Sequence, residues 1–475
     1  MKRQLLPIFG LVAFLSACTI VGPDFKPPEA PDAKTYTQEK EVLSAAQHIS
    51  LGKQLEMDWW RLFASTPLND IITQAMADNY TIAAAQETLA QAEEEVTAVH
   101  GGLMPQVALN GTAGRQKYGV ALFGPSNFKI PPFNYYEAGP TLSWSPDLFG
   151  GTHRSIERQQ ALAEYQSHQL DAAYVTLTGN VVAEALEIAA AKAEIGAVKK
   201  IIAEDKKTLK LVQAAFNAGA DTKVNVLAVQ SQLENNQALL PPLEQRVSIA
   251  KHALAILMGK APGNWSPPEF TLESLILPKE LPVSLPSELV HKRPDILAAE
   301  ANLHAASAAI GIATANLYPK ITLSATTLQE ALVPGRLFDN ASNAWSLMGG
   351  ISAPILNGGT LSAEQRAAEH AYQAALAQYK ETVLQAFGQV ADALTALSHD
   401  SDLNAEQQRA FDTAHASLTL ARKSFQAGET TLLQVQDAER QMAQAELGLI
   451  RAQSQRYQDT ATLFVALGGS PVPRE

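Results

Sequence analysis

The most reactive side chain in this chain of 475 residues is a single thiol, that of Cys18. It follows two basic residues, an apolar run over 5–15 and two small residues. This order of basic, apolar and small residues is typical of an export signal. The apolar run is shorter than the roughly 20 residues that a membrane-spanning helix needs. We therefore expect residues 1–17 to be a signal peptide and the sulfur of Cys18 to be modified after export.

The stretch from Leu15 to Cys18 resembles a bacterial lipobox, in which the cysteine is lipidated and becomes the first residue of the mature protein. The alternative is an ordinary signal peptide with a chance cysteine. Thr19 follows the cysteine, where lipoproteins of the inner membrane carry Asp, so the resemblance implies sorting to the outer membrane. Because the chain has no second cysteine, no disulfide within it can stabilise the exported fold.

The sequence carries no pattern typical of catalysis or of metal binding. Its ten histidines are scattered, without a helical metal pair or a cysteine partner. Gly259-Lys260 lacks the upstream glycine and the following Ser or Thr of a phosphate-binding loop. The net charge of −12 argues against a nucleic-acid partner. We therefore expect a protein that is not an enzyme and that uses no metal or cofactor.

The chain contains an internal duplication. Three motifs recur in the same order, with offsets of 208 to 214 residues: LMPQV at 103–107 as LYPKI at 317–321, PDLFGGT at 146–152 as PILNGGT at 354–360, and FNAG at 216–219 as FQAG at 425–428. Chance matches would not keep both order and offset. Each half is therefore expected to have one layout, namely an Ala-rich helix, two short strands, a very long helix and a returning helix.

The long helix in each half carries apolar residues at seven-residue spacing. The two rows are Tyr174, Val181, Ile188, Ile195, Ile202, Leu209 and Phe216, and Leu376, Val383, Val390, Leu397, Phe411, Leu418 and Phe425, the second interrupted at Asn404. A heptad repeat of this length predicts supercoiling against neighbouring helices. The 67 residues of 152–218 would form a rod roughly 100 Å long. A dimeric stalk and a barrel wall built of coiled coils both fit this pattern.

Four shorter segments alternate between apolar and small or polar residues. They lie within 106–113, 138–144, 321–326 and 345–353. Such alternation suits transmembrane β-strands with lipid on one face and water on the other. Even small barrels use about eight strands, so four strands cannot close around a lumen. We therefore expect several copies of the chain to contribute strands to one barrel.

Four motifs together resemble one known family. CTIVGPDF at 18–25 resembles the mature start of its members, and DWWRLF at 58–63, RPDI at 293–296 and PILNGG at 354–359 match further family motifs. The family comprises the lipoprotein outer-membrane factors of resistance-nodulation-division (RND) efflux systems, of the NodT type, within the TolC-like superfamily. Because the motifs span nearly the whole mature chain in the family's order, the resemblance is specific.

The resemblance implies an α+β membrane protein that assembles as a homotrimer. Each internally duplicated chain would give four strands to a twelve-stranded transmembrane β-barrel, continuous with a long periplasmic barrel of coiled-coil helices. The expected segments are a signal peptide at 1–17, a lipidated N-terminal and equatorial segment at 18–67, the first repeat at 68–260, a Pro-rich equatorial linker at 261–287, the second repeat at 288–469 and a C-terminal tail at 470–475.

By the same resemblance, the protein would be the outer-membrane channel of a tripartite efflux pump that exports small molecules such as drugs. Its partners would be a periplasmic adaptor, an inner-membrane RND transporter and outer-membrane lipid. Two alternatives remain, the duct of a type I protein secretion system and a lipid-anchored structural coiled coil without a pore. The sequence does not specify the exported substrate.

The resemblance also assigns roles to residues at the tips of the helical hairpins. In TolC-like proteins an aromatic residue and a glycine precede each tip turn. These positions correspond here to Phe216 and Gly219 in the first hairpin and to Phe425 and Gly428 in the second. They are expected to contact the adaptor.

Acidic side chains ring the periplasmic aperture of TolC-like proteins just after the tip turn. Asp437 matches one such position, whereas Gln434 occupies a position that is often Asp, and Asn225 lies at the equivalent place in the first hairpin. We therefore expect the aperture to attract cations, but more weakly than two acidic rings would.

Overall fold

A computed structural model of the chain describes residues 20–38, 47–119 and 131–469. Cys18, the signal peptide predicted at 1–17 and the tail predicted at 470–475 lie outside the described residues. The chain divides into two compact units. The first comprises residues 1–28, 89–165 and 299–379, and the second comprises 29–88, 166–298 and 380–475.

The described helices and strands follow the duplicated layout. The helices are α1 (Thr66–Asp78), α2 (Tyr80–His100), α3 (Gly151–Asn217), α4 (Lys223–Gln237), α5 (Leu240–Leu257), α6 (Pro286–Leu289), α7 (Pro294–Ala315), α8 (Thr360–Gln426) and α9 (Leu432–Ala466). The strands are β1 (His48–Leu51), β2 (Gln106–Gln116), β3 (Phe133–Trp144), β4 (Glu280–Val283), β5 (Lys320–Ala331) and β6 (Asn343–Ser352). The long helix predicted at 152–218 is α3, shifted by one residue.

The first unit contains an antiparallel sheet with the strand order β2-β3-β5-β6. The register confirms the alternation read from the sequence. One row across the four strands is small or polar and consists of Ala108, Thr141, Thr326 and Ser346. The neighbouring row, on the opposite face, is apolar and consists of Val107, Leu142, Ala325 and Leu347.

The second unit buries the middle of the predicted heptad rows of the long helices. Val181 and Ile188 of α3 and Val390 and Leu397 of α8 are almost completely inaccessible. Both long helices contain 67 residues. Their seven-residue spacing keeps one stripe turned towards neighbouring helices, and burial of this stripe rather than helix propensity holds them together.

Two helices predicted as continuous are interrupted. The Ala-rich helix expected over about 68–100 breaks at Asn79, whose Oδ1 accepts hydrogen bonds from the backbone N–H groups of Thr81 and Ile82. The returning helix of the first hairpin breaks before Pro241 and Pro242, which occupy the first turn of α5. Prolines are tolerated in a first turn but not in a helix interior.

In each repeat, a polar side chain donates a hydrogen bond to the carbonyl oxygen at the end of the returning helix. Asn79 Nδ2 donates to the carbonyl oxygen of Leu257 at 2.8 Å, and Arg293 Nη1 donates to that of Ala466 at 2.7 Å. These carbonyls have no partner within their own helices, so a side chain must satisfy them. This contact explains the RPDI motif at 293–296.

The aromatic motif at 58–63 packs against the end of α9 in the second unit. The rings of Trp59 and Phe63 lie 5.6 and 6.4 Å from that of Phe464, and all three side chains are fully buried. Nearby, β1 pairs in parallel with β4. The linker predicted at 261–287 to be irregular or extended therefore contributes a strand.

Among the described residues, one helix is long and apolar enough to cross a membrane, namely α7. Its apolar character comes mostly from alanine, and 44% of its most apolar window is buried within the chain. Core helices of soluble proteins have the same composition and length. In the duplicated layout α7 occupies the position of α2, which indicates a helix that packs against other helices.

Candidate functional site

The two hairpin tips have the same backbone structure. After α3, Gly219 N–H donates to the carbonyl of Phe216 and Ala220 N–H donates to that of Ala215. After α8, Gly428 and Glu429 repeat both bonds with Phe425 and Ser424. This Schellman arrangement requires a left-handed residue, and the φ angles are +74° at Gly219 and +77° at Gly428. The four predicted tip residues therefore define equivalent turns.

The helix that leaves each tip begins with a threonine cap. Thr222 Oγ1 accepts from the N–H of Asn225, and Thr431 Oγ1 accepts from that of Gln434. The predicted aperture residues Asn225 and Gln434 thus occupy the same position of their helices, as the duplication implied. Asn225 Nδ2 also donates to Asp221 Oδ1 at 2.6 Å. A carboxylate therefore does lie at the first tip, about one helical turn before the position that Asn225 occupies.

Asp437 lies on α9 and is about half exposed. Its Oδ1 is 2.5 Å from Nη2 of Arg440. The sequence analysis missed this arginine, although a spacing of three residues on a helix brings the two side chains together. In the acidic ring predicted from the sequence, each Asp437 would therefore stand beside one cation, which would reduce the field of the ring.

The two aromatic residues have different environments. Phe216 is partly buried against a cluster of Val212, Val226 and Val229, and Leu432 of the second hairpin packs against the same cluster. Phe425 is 44% exposed. The two tips therefore meet at this valine cluster through Leu432, while Phe425 is partly exposed at the surface.

A charged cluster also ties the two hairpins together. Arg422 of α8 lies 2.9 Å from Glu439 of α9 and 3.6 Å from Glu204 of α3. Burial raises the pKa of Glu439 against the opposing effect of Arg422. A hydrogen bond from Lys207 lowers the pKa of Glu204. The sequence gives no local signal for this cluster, because its members come from three helices.

The first unit holds the segment that follows the predicted lipidation site. Arg154 is almost fully buried and donates to the carbonyls of Val21 and Gly22 and to Asp24 Oδ1, the last at 2.8 Å. A Cβ on Gly22 would lie 2.4 Å from Cα of Gly311, so this position has no room for a side chain. We call residues 21–25 the N-terminal strap.

The last residue of the strap is held by a second set of contacts. The ring of Phe25 stacks on that of His304 at 4.4 Å, and His304 Nε2 lies 3.0 Å from Glu157 Oε1. Glu157 in turn accepts from Arg154 at 2.6 Å. The VGPDF motif is therefore a docking sequence, in which Val21, Gly22, Asp24 and Phe25 each contact a residue elsewhere in the first unit.

These contacts and the duplicated hairpins agree with the comparison to known proteins. The sequence profile described as outer membrane efflux protein matches residues 71–260 and 285–469. This is most of the chain and covers both copies of the duplication. The chain belongs to the outer membrane efflux protein family.

Relatives of known role match over most of their length. The pyoverdine export outer membrane protein OpmQ of Pseudomonas putida is 30% identical over 86% of this chain and 87% of its own. Nodulation protein T of Rhizobium leguminosarum bv. viciae is 28% identical over 98% and 93%. Among solved structures, the outer-membrane channel OprN superposes with a TM-score of 0.85 at 26% identity, covering 94% of this chain and 99% of that one.

The fold and the family together define the class of this protein. It is an efflux channel of the outer membrane. This confirms the main functional prediction from the sequence and disfavours a structural coiled coil without a pore.

Proposed function

We propose that three copies of this chain close one export duct, each copy giving its four strands to a twelve-stranded barrel. The observation that carries the proposal is the unfinished sheet of the first unit. Among the described residues, β2 and β6 each pair on one side only. Val107, Trp345 and Leu347 expose about 70% or more of their surface in the isolated chain. An open edge and an uncovered apolar row both require further strands and lipid.

The sheet offers a matched test of this proposal. Leu347 lies on the apolar row, and Ser346 lies next to it on the polar row. We expect Leu347→Lys to cost about 2–4 kcal/mol of insertion free energy, as for a cation on a lipid-facing strand, and to lower the amount of trimer in outer membranes. Ser346→Lys, which would face the water-filled lumen, should leave trimer yield unchanged. Equal loss in both variants, or none in either, would contradict the assigned faces.

We further propose that the cargo consists of small organic molecules rather than proteins. The export of pyoverdine by a relative with 30% identity supports this substrate class. The VGPDF motif of the N-terminal strap, which is docked on the first unit, also supports it. A susceptibility panel of antibiotics, dyes, bile salts and metal salts on a gene deletion strain tests it. Broad hypersensitivity is expected. Unchanged susceptibility together with loss of a secreted protein would favour the type I secretion alternative.

The proposed partners are a periplasmic adaptor and an inner-membrane RND transporter. Apolar side chains are exposed at equivalent places on both hairpins, namely Leu211 and Val224 on the first and Leu420 and Leu433 on the second. Together with Phe425 and the turns at Gly219 and Gly428, they form surfaces that a coiled-coil partner could cover. A photo-cross-linker at Val224 or Leu433 should yield one adduct with the adaptor, whereas one at exposed Asp402 should not.

We propose that Asp437, with Gln434 and Asn225, lines the periplasmic aperture, and that Cys18 carries the lipid. The exposure of Asp437 and the equivalence of the two tips support the first assignment. The docked strap supports the second, because it would hold the chain within a few residues of the acylated sulfur. Lipidation would assist anchoring, while the strands supply most of the insertion.

A further inference from the structure

The second hairpin contains a buried acidic pair that the channel function does not explain. Asp400 of α8 is only 7% exposed, and its Oδ2 has no hydrogen-bond partner among the described residues. The carboxyl group of Asp459 on α9 lies within hydrogen-bonding reach of the Asp400 carboxyl group, and a bond between the two can form only when one of them carries a proton. Two carboxylates at this separation in a buried site cannot both ionise without strong repulsion.

The internal duplication provides a built-in control for this pair. With the offset of 209 residues between the FNAG and FQAG motifs, Asp400 and Asp459 correspond to Ala191 and Ala250 of the first repeat. Both alanines are completely or almost completely buried. The equivalent buried positions are therefore apolar in one repeat and acidic in the other, so packing alone does not require the carboxyl groups.

Neighbouring positions show the same contrast. Arg456 and Asn404 correspond to Val247 and Ile195 of the first repeat. Asn404 is the residue that interrupts the heptad of α8. The second repeat thus has a polar cluster where the first has an apolar patch. Burying polar groups costs free energy, and a purely structural role does not offset this cost.

The acidic pair has fewer cations near it than carboxyl groups. Arg456 is the cation that acts on Asp400, and its Nε donates to Gln47 Oε1 at 2.7 Å. Gln455 Nε2 donates to Asp459 Oδ2 at 3.0 Å. Across the cavity beside Arg456 and Asn404 lie Tyr457 and Glu446 of α9, Lys192 and Lys200 of α3, and Glu273 of the linker. Lys192 is paired with Glu269, and Lys200 lies 3.9 Å from Glu446. The cavity that Asp459 lines also holds Arg293, Asp295 and Asp392, and Arg293 is paired with Asp295. Among the described residues, Arg456 is therefore the cation that faces the two carboxyl groups of the pair.

We propose that Asp400 and Asp459 form a proton-binding site, in which one shared proton joins α8 to α9 and makes the packing of the second hairpin depend on pH. This goes beyond the export function. Burial, reinforced by Asp459, raises the pKa of Asp400 to about 7. An ordinary Asp in the unfolded chain has a pKa of about 3.9. The folded protein therefore keeps a proton between these values that the unfolded chain has released.

The direction of the pH effect follows from this difference. The contribution of the pair to the free energy of unfolding should be highest at low pH, fall as the pH rises from about 4 to about 7, and then become level, because both states are deprotonated above that point. Burial also raises the pKa of Asp205 in the first hairpin, so the effect of the pair is the part of the slope that disappears when the pair is removed. Above pH 7 the contact between α8 and α9 is held less tightly.

Asp400→Asn tests the proposal, because an amide keeps the shape and can donate to Asp459 at every pH. In thermal unfolding of the detergent-solubilised protein, we expect the wild-type Tm to fall by ~2–4 °C more than that of the variant between pH 5 and pH 7. The exposed Asp402→Asn, on the same helix, is the matched control and should keep the wild-type slope. Equal slopes in the wild type and Asp400→Asn would overturn the proposal.

A second variant and an infrared measurement keep the proposal testable even if Asp400→Asn fails to fold. Asp400→Ala with Asp459→Ala restores the pair of the first repeat and should fold while losing the pH slope. Infrared spectra of the wild type should show a protonated carboxyl band that is stronger at pH 6 than at pH 8. Because burial also raises the pKa of Glu184, Asp205 and Glu439, the signal of the pair is the part of this difference that the double variant lacks. The same difference in the wild type and in the double variant would show that the proton is not shared here.

Discussion

At the scale of single residues, the acidic side chain predicted at the aperture has a basic partner. Asp437 and Arg440 form an ion pair on the exposed face of α9. Exposed pairs contribute little to stability, generally below about 1 kcal/mol, so both side chains are available to shape the field of an aperture. Repeated around three chains, the two residues would set opposing rings of charge.

This balance leads to opposite effects of two substitutions. Asp437→Ala should reduce cation selectivity and weaken block by multivalent cations in planar bilayers, while Arg440→Ala should increase both. Stability should change by less than about 1 kcal/mol in either variant. Unchanged selectivity and block in both variants would remove this pair from the aperture.

The N-terminal strap depends on one buried side chain. Arg154→Ala removes three hydrogen bonds to the strap, one of them to the carboxylate of Asp24, as well as the bond to Glu157, and should favour opening of residues 21–25 by roughly 2–4 kcal/mol. Proteinase K should then cleave the strap much faster than in the wild type. Asp24→Ala removes only the bond of a largely exposed carboxylate and should have a smaller effect. A strap equally protected in Arg154→Ala would mean that other contacts hold it.

At the scale of helices and hairpins, a few charged side chains determine how firmly the tips are joined. Arg422 links three helices, and Glu194, which is buried, pairs with Arg246 of α5 and Arg451 of α9 at 2.9 and 2.8 Å. Each cluster joins the first hairpin to the second. The tips can separate only if such pairs break.

Loss of the Arg422 cluster should therefore loosen the contact between the two hairpin tips. Arg422→Ala leaves the partly buried Glu439 without its cation, and we expect a higher resting conductance in planar bilayers and a loss of about 1–2 kcal/mol in stability. Arg409→Ala is the control, since within the described part of the chain the ion pair of Arg409 is with Glu406 on its own helix. A conductance increase of the same size in the control would indicate a general charge effect.

At the scale of the whole molecule, the strands rather than the lipid should hold the protein in the membrane. Cys18→Ser removes the acylation site but leaves the apolar row of the sheet intact. We expect the variant to resist carbonate extraction and to need detergent, with lower yield in the outer membrane. Complete release into the soluble fraction would show that the sheet is not inserted.

The sequence determined the parts of this protein that depend on local pattern. The duplication, the 67-residue helices, the alternating strand faces and the equivalence of the two tips could all be predicted, because heptad spacing, period-two alternation and the FNAG and FQAG turns are written within short stretches. The motifs likewise identified the family and the tip residues.

The tertiary structure decided which distant side chains meet. Arg154 reaches Asp24 across 130 residues, and Arg451 reaches Glu194 across 257. The partners of Arg422 and of Asp400 also come from other helices. Periodicity shows which face of a helix is buried, but not which residue of another helix lies opposite, because that depends on the register between elements. The strap, the joined tips and the acidic pair therefore became visible only once the helices were packed.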